Sequence, residues 1–348
     1  MKAALLAISA LVAGMQSGPS QPPPGAPPVE ATYSVRGPHP VSHSTIEEGG
    51  AVVFELTYPT DLATGAPHPI ITFGNGSFET PATYPGLLDL LASWGFVVVG
   101  TETDSAGSGE EMLDGAHRMV AAASDPASPF FGVLDVHHIG ALGHSQGAGG
   151  AMRAATLGDG LITSVATYAL PSPFSILVTG NQANHRFDPG QLTIPAFYMG
   201  GSEDFIAPSA DLHDYYDESP VPAAVAVLIG ADHNTVQHEG GRTLGYLVAW
   251  FRFTLADDDV AAGAFTGDAP ELLANAAFQD QAVKGFGGAS GPSGGGGAPT
   301  TTLVPVLRPR ADATGTGGLA RTGGVAPFAL VVALLAVAAV ARRPSFRP

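Results

Sequence analysis

The chain has 348 residues, 45% of them hydrophobic, which is enough apolar sequence for a sizeable buried core. Its formal net charge is −17, and Lys and Arg cluster only in the last few residues. An acidic surface repels polyphosphate, so we predict no binding to nucleic acid. The sequence contains no cysteine, which excludes disulfide bonds, a cysteine nucleophile and thiolate metal ligands.

The N-terminal segment predicts export. Lys2 precedes an apolar run over residues 3–13, and a Pro-rich stretch follows over residues 21–28. A short basic region followed by about 7–15 apolar residues is typical of a secretory signal peptide. We therefore interpret residues 1–28 as a signal peptide and a Pro-rich segment. The alternative is a buried first helix, but the prolines would separate such a helix from any core.

Residues 29–284 are predicted to form one α/β domain. Short runs of β-branched and apolar residues alternate with segments of helical spacing, which is typical of a mostly parallel sheet with helices on both faces. In such sheets the functional side chains lie at the carboxyl ends of the strands. The predicted strands cover residues 51–58, 69–73, 96–100, 139–142, 164–168, 194–199 and 223–229, and the predicted helices cover residues 84–94, 111–123 and 242–255.

A nucleophile is predicted where the strand over residues 139–142 ends. The chain continues as Gly143-His144-Ser145-Gln146-Gly147 and then enters a helix start of small residues. This is the G-x-S-x-G pattern in its strand–turn–helix context, which lifts a serine hydroxyl clear of the sheet. We predict Ser145 as the nucleophile and the Gln146 N–H as a donor to the developing oxyanion. The alternative is an ordinary turn in a Gly-rich chain.

An acid and a base follow in the order that this fold requires. A nucleophilic serine needs a histidine base, and the histidine needs an orienting carboxylate. Asp204 follows the strand over residues 194–199, with Glu203 as the second candidate, and His233 follows the strand over residues 223–229. We predict Asp204 as the acid and His233 as the base, because the acid precedes the histidine in α/β hydrolases.

A second oxyanion donor is expected from the loop after the strand over residues 69–73. This loop reads Gly74-Asn75-Gly76-Ser77, and its glycines would let the backbone approach a substrate. The Ser77 N–H is the predicted donor. His144 adjoins the nucleophile in sequence and cannot turn to act as its base, so we interpret it as a packing residue.

These pieces together resemble the cutinase-like polyester hydrolases and the related chlorophyllase- and dienelactone-hydrolase-type esterases. The resemblance covers residues 31–284 and rests on the segments 73–78, 91–99, 143–147, 201–208, 230–233 and 249–267. It implies an α/β-hydrolase fold, a triad at the positions matching Ser145, Asp204 and His233, and oxyanion donors at Ser77 and Gln146. It also places Phe78 and Phe174 near positions that line the acyl groove in such enzymes.

The C-terminal segment resembles a cell-wall sorting signal. Residues 285–318 are rich in Gly, Ser, Pro and Thr, as in a flexible stalk. A pentapeptide over residues 319–323 comes next. It is followed by an apolar run over residues 325–341 and by a tail with three arginines. The resemblance implies that a sortase cuts this pentapeptide before its glycine and joins the chain to peptidoglycan. The alternative is a C-terminal transmembrane anchor, for which about 17 residues are short. The pentapeptide is Leu319-Ala320-Arg321-Thr322-Gly323.

The sequence thus predicts a serine carboxylic-ester hydrolase that is secreted and anchored to the surface of a Gram-positive-type bacterium. Its partners would be an ester substrate (a small molecule, a lipid or a polyester), a sortase and peptidoglycan. The chemistry implies no metal and no organic cofactor. Two alternatives stay open: a peptidase or acyltransferase that uses the same triad, and a catalytically inactive surface adhesion protein.

Overall fold

The structure of the chain is a computed structural model that describes residues 8–12, 18–172 and 185–286. The predicted sorting signal and residues 287–318 of the predicted stalk lie outside the described residues, and so does Phe174. The described strands are β1 (Ile8–Val12), β2 (Val41–Glu48), β3 (Ala51–Pro59), β4 (His68–Gly74), β5 (Val97–Thr101), β6 (Leu134–His144), β7 (Ser164–Tyr168), β8 (Ala196–Gly201), β9 (Ala223–Leu228) and β10 (Phe278–Lys284). The described helices are α1 (Pro28–Tyr33), α2 (Pro85–Ser93), α3 (Glu110–Ser124), α4 (Gln146–Leu157), α5 (Ser209–Glu218), α6 (Leu244–Ala256), α7 (Asp259–Ala262) and α8 (Glu271–Ala274).

One sheet contains all of these strands, in the order β1-β2-β3-β5-β4-β6-β7-β8-β9-β10. The six strands from β5 to β9 in this order run parallel. Antiparallel pairs extend the sheet at both sides, through β3, β2 and β1 at one edge and through β10 at the other. A mostly parallel sheet of this kind must be covered on both faces, because its central strands are apolar throughout.

Helices cover both faces and give the domain two hydrophobic cores. The core on one face includes the leucines of α2 and the aromatic side chains of α6, among them the fully buried Trp250. The core on the other face includes the methionines of α3 and the small residues of α4. Full burial of a large apolar side chain contributes about 1.5–3 kcal/mol relative to leaving it exposed. Packing in these two cores fixes the positions of the strand ends, where the loops begin.

Strand register brings four loops to one edge of the sheet. Gly74 at the end of β4 lies opposite Gly143 near the end of β6. Gly201 at the end of β8 lies opposite Leu228 at the end of β9. The loops that follow β4, β6, β8 and β9 therefore start at the same carboxyl edge, where the functional side chains are predicted to lie.

The fold class is confirmed, and the differences from the predicted elements have local causes. β6 begins at Leu134 rather than residue 139. The prediction missed its first residues because Asp135 and two histidines interrupt the apolar pattern there. β8 begins at Ala196 rather than residue 194, because Pro195 has no N–H for the ladder, and it continues through two glycines. The predictions did not include β1, β2, α1, α5, β10, α7 or α8.

A buried polar cluster joins α1 to the C-terminal part of the domain. The Glu30 carboxylate is buried and accepts hydrogen bonds from the Arg242 Nη2 (2.6 Å) and Nε (2.7 Å) atoms and from the Asn275 amide (2.7 Å). The Glu271 carboxylate accepts the N–H groups of Val29 (2.6 Å) and Glu30 (2.9 Å). α1 is therefore an integral part of the domain, although its six residues could not form a stable helix alone.

Candidate active site

Ser145 lies on a sharp turn between β6 and α4. Its backbone has φ 53° and ψ −121°, in the left-handed half of dihedral space, which costs a non-glycine residue about 1–3 kcal/mol. Ser145 donates its N–H to the Tyr168 carbonyl oxygen (3.0 Å), so β7 helps to hold the turn. A Cβ atom on Gly147 would lie 2.1 Å from the Gly74 carbonyl oxygen, and one on Gly143 would lie 2.1 Å from the Gly147 carbonyl oxygen. Only glycine fits both positions.

The structure brings together the three side chains of the predicted triad. The His233 Nε2 atom lies 2.9 Å from the Ser145 Oγ atom, and the His233 Nδ1 atom lies 2.8 Å from an Asp204 carboxylate oxygen. A carboxylate only accepts hydrogen bonds, so Nδ1 carries the imidazole proton and the Nε2 lone pair faces the serine hydroxyl. This arrangement can take a proton from Ser145.

The structure also separates the two candidate acids. Asp204 is buried, and its second carboxylate oxygen accepts the N–H groups of Ile206 and Ala207 (both 2.8 Å). Glu203 is exposed, and its N–H is bonded to the Ala231 carbonyl oxygen (2.9 Å). The side chain that reaches His233 is therefore that of Asp204.

The loop after β4 is fixed by its own polar groups. Asn75 is fully buried and donates its side-chain amide to the carbonyl oxygens of Glu79 and Thr103 (2.7 Å for Thr103). Gly76 donates its N–H to the Tyr84 hydroxyl oxygen (3.0 Å). These contacts fix the backbone on both sides of Asn75, so the loop holds its shape without a substrate.

Two backbone N–H groups near Ser145 are not used by these contacts. Phe78 donates its N–H to the Asp104 carbonyl oxygen (3.2 Å). Across residues 8–12, 18–172 and 185–286, no protein acceptor is found for the N–H of Ser77 or of Gln146. Both predicted oxyanion donors thus keep a backbone proton for another acceptor.

Apolar side chains are exposed on the loops around Ser145. Phe78 is 86% exposed and has φ 66°, so its backbone is in the left-handed region while its ring is in solvent. Phe205 follows Asp204 and is 69% exposed, and Ile229 precedes the His233 loop and is 51% exposed. Of the two predicted groove residues, Phe78 is exposed on the loop after β4, and Phe174 is outside the described residues. The other two side chains were not predicted.

His144 makes more specific contacts than a packing residue. It is fully buried, and its Nε2 atom lies 2.8 Å from the His233 carbonyl oxygen while its Nδ1 atom lies 2.8 Å from the Tyr84 hydroxyl oxygen. Burial, together with the neighbouring His233, holds the pKa of His144 well below its ordinary value of 6.5. Tyr168 donates its hydroxyl to the Asp232 carbonyl oxygen (2.8 Å), which adds a second contact to the same loop. A histidine directly before the predicted nucleophile is the sequence signal for this network.

Neither a metal site nor a membrane-spanning helix is found in the described part of the chain. No three His, Asp or Glu side chains among its residues are arranged to hold a metal ion. None of its helices is both long enough and apolar enough to cross a bilayer. The predicted apolar span over residues 325–341 lies outside this part.

A mostly parallel sheet with helices on both faces and a serine on a strand–turn–helix define the chain as an α/β hydrolase. Residues 14–283 match the family described as PET hydrolase-like, and the chain belongs to that family.

Three curated proteins are similar over most of the domain. Cutinase est2 of Thermobifida alba is 27% identical over 248 residues, which cover 67% of this chain and 76% of the cutinase. Cutinase est1 of the same organism is 26% identical over 249 residues, which cover 67% and 77%. A bis(hydroxyethyl) terephthalate hydrolase of Streptomyces coelicolor is 24% identical over 270 residues, which cover 74% and 81%.

Proposed function

We propose that the chain is a secreted, surface-anchored serine carboxylic-ester hydrolase. The observation that carries the hydrolase part of the proposal is the position of the His233 imidazole, 2.9 Å from the Ser145 hydroxyl and 2.8 Å from the buried Asp204 carboxylate. A histidine held in this way by a carboxylate has its free lone pair directed at the nucleophile. The membership of the PET hydrolase-like family supports the same activity.

In the proposed reaction, His233 removes the hydroxyl proton as Ser145 attacks the ester carbonyl carbon. The tetrahedral intermediate carries a negative oxygen, which the N–H groups of Ser77 and Gln146 stabilise. His233 then returns the proton to the leaving alcohol, and an acyl-enzyme forms. Water, activated by the same histidine, attacks the acyl-enzyme, and the carboxylic acid leaves with Ser145 restored.

The proposed substrates are esters with an apolar or aromatic part. Phe78, Phe205 and Ile229 would contact such a part, because they are exposed on the loops that carry the proposed site. The related proteins are named for cutin and for bis(hydroxyethyl) terephthalate, so both a polyester and a small terephthalate ester are candidate substrates.

Hydrolysis of p-nitrophenyl esters from acetate to palmitate, and of bis(hydroxyethyl) terephthalate, tests this proposal. We expect the chain to cleave at least one of these esters and Ser145→Ala to lower kcat by about three orders of magnitude or more. The substitution removes only the nucleophilic oxygen, so the two proteins should unfold at the same temperature. The chain-length profile then identifies the acyl group.

A folded wild-type chain that is no faster than Ser145→Ala on every ester would refute the esterase proposal. A peptidase or acyltransferase would then be sought by labelling with a fluorophosphonate, which modifies an activated serine in any of these enzymes. A chain that neither cleaves esters nor reacts with the label would favour the adhesion alternative.

The proposed location rests on residues 1–28 and on the segment around Thr322. Cleavage of the proposed signal peptide would also remove β1, which lies at an edge of the sheet. In the native cell we expect the chain in the cell-wall fraction, with a new C-terminus at Thr322 linked to peptidoglycan. Thr322→Ala should release it from the wall or leave it in the membrane. Retention of Gly323 and the following residues on the wall-bound protein would favour a transmembrane anchor instead.

A further inference from the structure

A continuous chain of hydrogen bonds passes behind the candidate active site. Gly76 donates to the Tyr84 hydroxyl oxygen (3.0 Å), and the Tyr84 hydroxyl lies 2.8 Å from the His144 Nδ1 atom. The His144 Nε2 atom lies 2.8 Å from the His233 carbonyl oxygen. Tyr84 and His144 are both buried, so water does not compete for these contacts.

The proton positions in this series of hydrogen bonds follow from which atoms can donate and which can only accept. The His233 carbonyl oxygen can only accept, so Nε2 of His144 carries a proton. A neutral imidazole has one N–H, so Nδ1 accepts and the Tyr84 hydroxyl donates to it. Burial raises the pKa of Tyr84 above that of an ordinary tyrosine, so the phenol keeps its proton. Every donor then has one acceptor, and no group can be reversed without leaving another unpaired.

This series of hydrogen bonds joins three loops that have separate roles in the proposed reaction. Gly76 precedes Ser77, His144 precedes Ser145, and His233 is the proposed base. Gly76 also fits tightly, because a Cβ atom there would lie 2.9 Å from the His144 Nδ1 atom and 3.2 Å from the Tyr84 hydroxyl oxygen. The loop after β4 therefore packs directly against the side chains of Tyr84 and His144.

We propose that Tyr84 and His144 are positioning residues that hold the Ser77 loop, the Ser145 turn and the His233 backbone at fixed distances from one another. The proposal rests on the esterase function proposed above. Without the Tyr84 hydroxyl, the Gly76 N–H and the His144 Nδ1 atom lose their partners, and the loop that presents the Ser77 N–H loosens. An oxyanion donor acts on the transition state more than on the bound ester, so kcat should fall while KM changes little.

Tyr84→Phe in the full chain tests this proposal, because phenylalanine keeps the ring and its edge contact with Phe73. We expect kcat to fall about ten- to thirtyfold with KM within about twofold of wild type, because the variant loses the two buried hydrogen bonds with Gly76 and His144 next to the reacting groups. Tyr198→Phe is the control: Tyr198 is also a fully buried tyrosine, and the variant loses the hydrogen bond between its hydroxyl and Ser219 (2.7 Å). Its kcat should stay within about twofold of wild type.

Two further readouts separate positioning from general damage. Hydrogen exchange measured by mass spectrometry should be faster over residues 74–79 in Tyr84→Phe and unchanged there in Tyr198→Phe. His144→Gln keeps one donor and one acceptor and should retain more activity than His144→Leu, which keeps neither. This rescue depends on the hydrogen bonds and not on side-chain volume.

The positioning role is wrong if Tyr84→Phe is as active as wild type while Ser145→Ala is inactive. It is also wrong if Tyr198→Phe loses as much activity, or if the loss lies in KM alone with unchanged exchange over residues 74–79. Failure of the esterase function would be recognised separately, since the wild-type chain would then show no activity that Ser145→Ala removes.

Discussion

At the scale of single residues, Glu203 and Asp204 are adjacent carboxylates in different environments. Asp204 is buried and accepts two backbone N–H groups as well as the His233 imidazole, while Glu203 is exposed. The two backbone N–H groups fix the direction of the Asp204 carboxylate independently of its contact with His233. Two neighbouring residues of similar charge should therefore have very different effects when neutralised.

Asp204→Asn is expected to lower kcat about 10³- to 10⁴-fold, because an amide nitrogen facing Nδ1 would favour the wrong imidazole tautomer. Glu203→Gln is the matched control and should leave kcat within about twofold. Ester hydrolysis by both variants at pH 8 makes the comparison. If kcat falls by the same factor in both variants, Asp204 is not the specific orienting acid. If kcat falls more in Glu203→Gln, Glu203 has that role instead.

Sequence reasoning could predict the residues whose roles depend on local chain geometry. Ser145 follows from a strand, a tight turn and a helix, and His233 from a glycine and a strand end. Tyr84 could not be predicted in this way, because its partner His144 is 60 residues away and the contact depends on how α2 packs on the sheet. Asn75 belongs to the same class, since its amide bonds Thr103 at a distance of 28 residues.

At the scale of elements, α1 depends on charges that are far away in the chain. Its buried Glu30 is matched by Arg242, which precedes α6, and its first N–H groups are capped by Glu271 on α8. A buried carboxylate without a partner is costly, and removal of one member of such a pair typically costs about 3–5 kcal/mol. The contribution of α1 to stability therefore depends in large part on Arg242.

Arg242→Ala is expected to lower the free energy of unfolding by about 3 kcal/mol, at the lower end of that range because Arg242 is partly exposed. Arg118→Ala is the control, since its pairs with the exposed Glu48 and Asp114 should each contribute less than about 1 kcal/mol. Urea unfolding of both variants measures the difference. Similar values for the two would show that the Glu30 carboxylate finds water or another donor.

The elements that sequence reasoning missed are those without an apolar pattern. β2 begins Val-Ser-His-Ser-Thr and buries two serines, so neither alternation nor an apolar run identifies it. β10 lies at an edge of the sheet and reads Phe-Gln-Asp-Gln-Ala-Val-Lys, with its polar residues largely accessible. Their identity as strands is set by pairing with β3 and β9, which is tertiary information.

At the scale of the whole molecule, the buried His144 couples folding to pH. Its pKa is depressed in the folded chain and ordinary, near 6.5, in the unfolded chain. Below pH 6.5 the unfolded chain binds a proton that the folded chain does not bind, so stability falls as the pH falls. His43 acts in the opposite direction, because its hydrogen bond with Asp89 raises its pKa and stabilises the folded chain at low pH.

The unfolding free energy of His144→Gln should depend less on pH than that of the wild-type chain. Between pH 6.5 and the depressed pKa, the wild type should lose up to about 1.4 kcal/mol more per pH unit than the variant. His43 is present in both proteins and cancels. Urea unfolding from pH 5 to pH 8 gives both curves. Parallel curves would mean that His144 takes up its proton in the folded chain as easily as in the unfolded chain.

The edge position of β10 has a mechanical consequence if the chain is tethered through Thr322. β10 pairs with β9 from Phe278 opposite Leu228 to Lys284 opposite Ala223, so tension from the tether would act first on Phe286, which packs against Trp250 and Phe253, and then on Lys284. Hydrogen bonds that open one after another yield at a lower force than bonds that are loaded together. If the tension opened these bonds in sequence from the Lys284 end, β10 would separate from β9 first and lengthen the tether. The central strand β6, which precedes Ser145, would then bear less of the load.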